Sequence, residues 1–138
     1  MARSALSPAE GEHPLTPYEQ ALLALQAALE KKALEPVLLD LAAQGSYTDY
    51  LLLLSGTSDR HVQTIADAVV EAFHKARLPI LGVEGRGEGR WVLIDRGDVV
   101  IHVFHHPLRE HYDLEGMWSE APRVPLAVPA EARVQGLY

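Results

Sequence analysis

Apolar side chains recur at helical spacing in two stretches of the chain and alternate or run unbroken in five shorter ones, and this switching of period lays out the elements. Leu22, Leu25 and Leu29 form a stripe behind Thr16-Pro17-Tyr18-Glu19, a capping box with proline at the first helical position, which predicts a helix starting at Thr16 and ended by Pro36. Val62, Ile65, Ala66, Val69 and Phe73 repeat in the same way after Ser55-Gly56-Thr57-Ser58-Asp59, which supplies a hydroxyl cap and a first-turn acid. Arg60, Asp67, Glu71 and Lys75 fall on the opposite side, and that side is read as solvated.

The strand signals are Val37 to Leu41, Tyr50 to Leu54, Ile80 to Glu84, Trp91 to Asp95 and Val99 to Phe104. Val37, Leu39 and Leu41 share one face of the first. The second is apolar throughout and reads as central. Strand, long helix and third strand in that order predict a right-handed parallel crossover. The last two runs are parted by Arg96-Gly97-Asp98, which is hairpin punctuation and predicts an antiparallel pair. A short helix is expected around Tyr112 to Trp118, and prolines 122, 125 and 129 then predict an extended tail, ordered where Val124 and Leu126 can dock.

These elements predict an α/β fold: a mixed sheet of about five strands with two long helices and a short C-terminal helix. The boundaries follow as a flexible leader over 1–15, one folded domain over 16–120 and an extended tail over 121–138. Both faces of Val99 to Phe104 are largely apolar, so each face of the sheet needs cover. The two long helices are expected on one face and the C-terminal segment, covering incompletely, on the other. An apolar area left open and rimmed by charge is what a protein-docking surface looks like.

Composition narrows the chemistry. The chain holds no cysteine and no asparagine, which removes disulfides, thiolate nucleophiles, thiolate-bound metals and Asn-linked glycans. The first residues lack an apolar run of signal-peptide length and no stretch is long enough to span a bilayer, so a cytoplasmic protein is expected. A net charge of −7 repels phosphate backbones and favours a basic protein as the charged partner.

Candidate chemistry is sparse. Gly85-Arg86-Gly87-Glu88-Gly89 has the composition of a phosphate cradle, but it opens into a strand rather than a helix and reads as a hairpin loop. Ser55 to Asp59 does join a strand to a helix, yet Asp59 would repel an anion there, and no Gly-x-Ser-x-Gly elbow surrounds any serine. His102, His105, His106 and His111 cluster without a metal-ligand spacing, since His102 and His105 fall on opposite strand faces and Pro107 turns the chain. Asp95 and Asp98 flank a turn, where aspartate commonly stabilises the backbone. Tyr112, Asp113, Leu114, Glu115, Met117 and Trp118 pack two large aromatics, a methionine and two acids into one short segment, the mixture that dominates binding hot spots or pins a terminal helix.

Several of these segments, in order, resemble the ribosomal silencing factor family, also called Iojap-like: Tyr47-Thr48-Asp49-Tyr50; Ser55 through Gln63; Glu84-Gly85 with Trp91 to Asp95; Gly97 through Phe104; and Tyr112 to Glu115 with Trp118. The resemblance runs from about Thr16 to Leu126. It implies a nucleotidyltransferase-like fold without that activity, and binding to large-subunit ribosomal protein fourteen where the small subunit joins. Translation would fall as a result, as in starvation. A homodimer is compatible with it; a repressor of this kind is expected to take no cofactor, and the charge and the short apolar runs give the expectation of no nucleic acid as main contact and no membrane. Nucleotidyltransferases need carboxylates on one strand face to hold two metal ions. No Asp-x-Asp or Asp-x-Glu stands on a strand here, which favours a binding protein over the rival reading, a small nucleotide- or metal-dependent enzyme.

The expected docking face therefore takes Trp91, Tyr112, Leu114 and Trp118 as anchors, and Glu84, Asp95, Asp98, Asp113 and Glu115 as acids facing lysine and arginine. Arg86, Arg90 and His102 are expected to orient those carboxylates.

Overall fold

A computed structural model describes residues 14–112, 116 and 120–133. Helix α1 spans Pro17–Glu30 and begins as its capping box dictates: the Thr16 hydroxyl accepts from the Glu19 N–H at 3.1 Å, and the Glu19 carboxylate accepts from the Thr16 N–H at 2.9 Å. It ends at Glu30, not at Pro36. Lys31 and Lys32 donate their N–H groups to the Ala28 and Leu29 carbonyls, and Lys32 turns to φ 62°, so the helix closes before the proline is reached.

Pro36 sits instead in strand β1, Leu34–Asp40, beside a break in register between Leu34 and Val37. Strand β2 is Tyr50–Gly56, β3 Gly82–Glu84, β4 Trp91–Asp95, β5 Val99–His105 and β6 Arg123–Val124. They form a six-stranded mixed sheet in the order β3-β4-β5-β2-β1-β6. Tyr50 to Gly56 is central, as expected, and β4 and β5 form the antiparallel hairpin.

Two details differ from the sequence reading. The strand after the second helix does not lie beside β2, whose parallel neighbour is β5; β3 is a three-residue strand at the sheet's edge, antiparallel to β4. A hairpin inserted after the crossover displaces β3 outward, and the local strand-helix-strand pattern carries no information about that insertion. The sixth strand is the proline-rich stretch itself. Arg123 and Val124 pair with Leu39 and Leu38, and Val124, Leu126 and Val128 pack against the core.

Helix α2, Asp59–Lys75, and α1 cover one face of the sheet. Val62, Ile65, Ala66, Val69 and Phe73 from α2 meet Leu52, Leu54, Val92, Ile94, Ile101 and Val103 from the strands. Across the sheet lies a second apolar cluster of Leu39, Leu41, Leu51, Leu53, Val100, Phe104 and Ala121, with Val37, Trp91 and Leu93 half-buried at its margin. Helix α3, His106–Tyr112, leaves β5 directly. The sequence reading expected a turn here rather than a helix; Pro107 falls in the helix's first turn, where a missing N–H costs nothing, and the helix expected around Tyr112 to Trp118 lies mostly outside the described residues.

Candidate docking face

The face away from α1 and α2 can be read row by row from the strand register. Leu93 of β4 lies opposite His102 of β5, which lies opposite Leu53 of β2 and then Val37 of β1. One row along, Trp91 meets Phe104 and Phe104 meets Ser55. In the third row Asp95 meets Val100, and Val100 meets Leu51. At the outer edge Glu84 of β3 pairs with Leu93 and therefore shares this face. Half-buried Trp91 and Leu93 thus stand between a fully buried floor and the carboxylates of Glu84 and Asp95.

An aromatic network holds Trp91 in place. Its ring lies 5.2 Å from Phe104 and 5.9 Å from His102, and its indole N–H donates to His102 Nδ1 at 2.9 Å. His102 is 4% exposed, and its ring stacks on Phe104 at 5.8 Å. Burial pushes its pKa down to about 4, because the charged imidazolium would be stranded away from water. His102 therefore does not orient carboxylates; it orients Trp91. Its Nε2 has no partner among the described residues.

Arg86 also departs from its expected place. Its guanidinium pairs with Asp67 on α2 at 2.6 and 2.7 Å, on the helix side of the sheet. The Gly-rich loop is drawn there by Gln63, whose side-chain amide donates to the carbonyls of Arg86 and Gly87 at 3.0 Å each. The side of α2 read as solvated is thus in part a seat for this loop. Arg90 is exposed, and its carbonyl accepts from the His105 N–H at 2.9 Å. Asp95 accepts from the Gly97 N–H at 2.8 Å, the turn-stabilising role its position suggested. Asp98 is exposed in the same turn. Tyr112 ends α3, and its side chain, with Asp113, Leu114, Glu115 and Trp118, lies outside the described residues.

The corner between β2 and α2, where a phosphate would sit in an enzyme, is filled. Ser55 is 0% exposed and its hydroxyl accepts from Arg109 of α3 at 2.9 Å. Thr57 N–H donates to His61 Nδ1 at 2.9 Å, and Ser58 caps the helix by accepting from the His61 N–H. A methyl on Gly56 would lie 3.0 Å from Val62. Among the described residues no three His, Asp or Glu side chains converge as a metal set, and no helix is long and apolar enough to cross a membrane.

Sequence reasoning missed Arg109. It is 5% exposed and donates to the Glu35 carbonyl as well as to Ser55, fastening α3 across the ends of β1 and β2. Nothing in its local sequence marks it, because both partners lie more than fifty positions away.

Comparison with known proteins gives concordant results. Residues 14–136 match the family described as ribosomal silencing factor during starvation. The ribosomal silencing factor RsfS of Halalkalibacterium halodurans is 40% identical over 104 residues, covering 75% of this chain and 89% of that one. A crystal structure of a Chromobacterium violaceum protein superposes with a TM-score of 0.75 at 33% identity, covering 84% of this chain and 96% of the other. A mouse protein named mitochondrial assembly of ribosomal large subunit protein 1 is 34% identical over 76 residues, 53% of this chain and 33% of its own length.

Proposed function

Because the chain belongs to the ribosomal silencing factor family, we propose that it represses translation by docking on the large ribosomal subunit and excluding the small one, without a chemical step. Large-subunit ribosomal protein fourteen is the docking partner in this reading. One observation carries it: the sheet face opposite the long helices presents Trp91 and Leu93, half-buried, with Glu84 and Asp95 beside them. Half-buried apolar side chains flanked by two carboxylates suit a basic protein surface, and a net charge of −7 disfavours ribosomal RNA as the main contact. The name of the mouse relative supports the large subunit as the assembly concerned. The filled β2–α2 corner supports a binding role over nucleotide chemistry, since neither Ser55 nor the N–H of Thr57 is open to a phosphate.

The test is a subunit-joining titration. Purified large subunits, incubated with the chain and then mixed with small subunits, should yield fewer joined ribosomes as the chain is added, and the chain should co-sediment with the large subunit. Undiminished joining at saturating chain, with the protein left in the supernatant, overturns the reading.

A further inference from the structure

One end of the sheet carries exposed apolar surface that the docking face does not use. Leu81 is 67% exposed and Tyr47 is 64% exposed, and both flank the β4–β5 turn. Leu81 is tied to that turn by its N–H, which donates to the Asp95 carbonyl at 2.8 Å, and a methyl on Gly97 would lie 3.4 Å from its Cδ1. From the other side, the Thr48 hydroxyl donates to the Gly97 carbonyl at 2.9 Å and the Asp49 N–H to the Asp98 carbonyl at 3.1 Å, which carries Tyr47 up beside the turn. Two large exposed side chains thus stand on either side of one turn, each on a segment tied to it by hydrogen bonds.

The charge around them is mainly acidic, with Arg96 the cation within the turn. Asp49, Asp95 and Asp98 belong to these two loops, and Asp40 ends β1 opposite Tyr50. The neighbouring Arg96 is engaged within the same region, its guanidinium donating to the Pro79 carbonyl at 2.8 Å. Both phenols register this field: burial and then the Asp95 carboxylate raise the pKa of Tyr47, and burial, Asp40, Tyr18 and Asp49 raise that of Tyr50.

We propose that this sheet end, built from Tyr47, Leu81 and the Asp95–Asp98 turn, is a contact region for a lysine- and arginine-rich segment of a protein partner. The aliphatic stems of such side chains lie against Tyr47 and Leu81, and their charges meet Asp49, Asp95 and Asp98. The inference rests on the docking reading above and extends its footprint round the end of the sheet. A nucleic acid or an anionic membrane would be repelled by the same carboxylates.

The test uses the full chain and purified large ribosomal subunits. The exposed double substitution Tyr47→Ser with Leu81→Ser should leave the thermal midpoint unchanged and weaken binding roughly tenfold. A photo-crosslinking residue at position 47 should capture a basic ribosomal protein. A folded double variant that binds within about twofold of wild type, or a crosslink to RNA or to a second copy of the chain, overturns this inference alone. Failure of the wild type itself to bind instead removes the docking reading on which it rests.

Discussion

Trp91 and His102 are joined across the β4–β5 hairpin by one hydrogen bond, the indole N–H to Nδ1 at 2.9 Å. The bond makes Nδ1 the acceptor and so leaves the proton of the neutral imidazole on Nε2. It also fixes the Trp91 ring at the margin of the sheet face away from α1 and α2, so the anchor proposed above is set by a buried neighbour. A pre-set anchor loses less freedom on binding than a loose one.

The burial of His102 makes stability depend on pH. His102 has a folded pKa of about 4, below the ordinary value of 6.5 that it regains on unfolding. The unfolded chain therefore binds the extra proton first, and the stability that neutral His102 contributes is complete above pH about 6.5 and is lost as pH falls toward about 4. The loss is on the order of 3 kcal/mol. Urea melts of the wild type and His102→Gln, which keeps an acceptor for Trp91 but does not titrate, should diverge in slope over that window. Parallel pH profiles would show that the imidazole is not desolvated.

Arg109 is a second buried side-chain tie between distant elements, and its removal should cost more than that of its partner. Arg109→Ala leaves the Glu35 carbonyl and the Ser55 hydroxyl without their shared donor, a loss of roughly 2–4 kcal/mol. Ser55→Ala removes one acceptor while the guanidinium keeps Glu35, so about 1 kcal/mol is expected. Denaturation midpoints of the two variants decide it. Equal losses would mean that the serine, not the arginine, organises the corner.

How far the sequence speaks is clearest from such pairs. The capping box at Thr16, the turn at Gly97 and the apolar periods of β2, β4, β5 and α2 are local signals, and the elements they specify are present. That the two long helices cover one face follows from counting them against a sheet that is apolar on both sides. The other face is not left open as expected: Leu51, Leu53, Val100 and Phe104 are at most 1% exposed there, and Arg109 of α3 is fastened to Ser55 on it. What stayed hidden is non-local. Composition cannot say that Arg86 turns to Asp67 on α2, that His102 serves Trp91, or that β3 is pushed to the edge by a hairpin that follows it. Pro36 and Pro107 misled for the opposite reason: a proline is a strong local signal that a bulged strand or a helix's first turn can absorb.

Gly89 should tolerate no side chain. Its φ is +74°, and an added Cβ would lie 2.5 Å from the Asp59 carbonyl oxygen and 2.7 Å from the Gln63 side chain. Both the strained conformation and the collision act on the seat where the Gly-rich loop meets α2. Gly89→Ala is expected to cost roughly 2–3 kcal/mol, whereas Gly87→Ala, with open space around it, should change stability by less than about 1 kcal/mol. Thermal unfolding of the two variants gives the comparison directly, and similar midpoints would mean that the loop lifts from α2 without loss.

Charge reversal separates the carboxylates from the apolar anchors of the docking face. Glu84 and Asp98 are exposed, so Glu84→Lys with Asp98→Lys should fold normally while reversing the local field that meets a basic partner. Rim charges act mainly on encounter, so association with the large subunit should slow by about tenfold at low salt, with little change in dissociation. Raising ionic strength shortens the Debye length from about 10 Å at 0.1 M to about 3 Å at 1 M, so the rates of variant and wild type should converge. Trp91→Ala should behave in the opposite manner, speeding dissociation at every salt concentration, because it removes buried contact area rather than charge. Stopped-flow measurements on both variants distinguish the two roles. A salt-independent deficit in the charge-reversed chain would mean that Glu84 and Asp98 make fixed contacts with the partner instead of steering it.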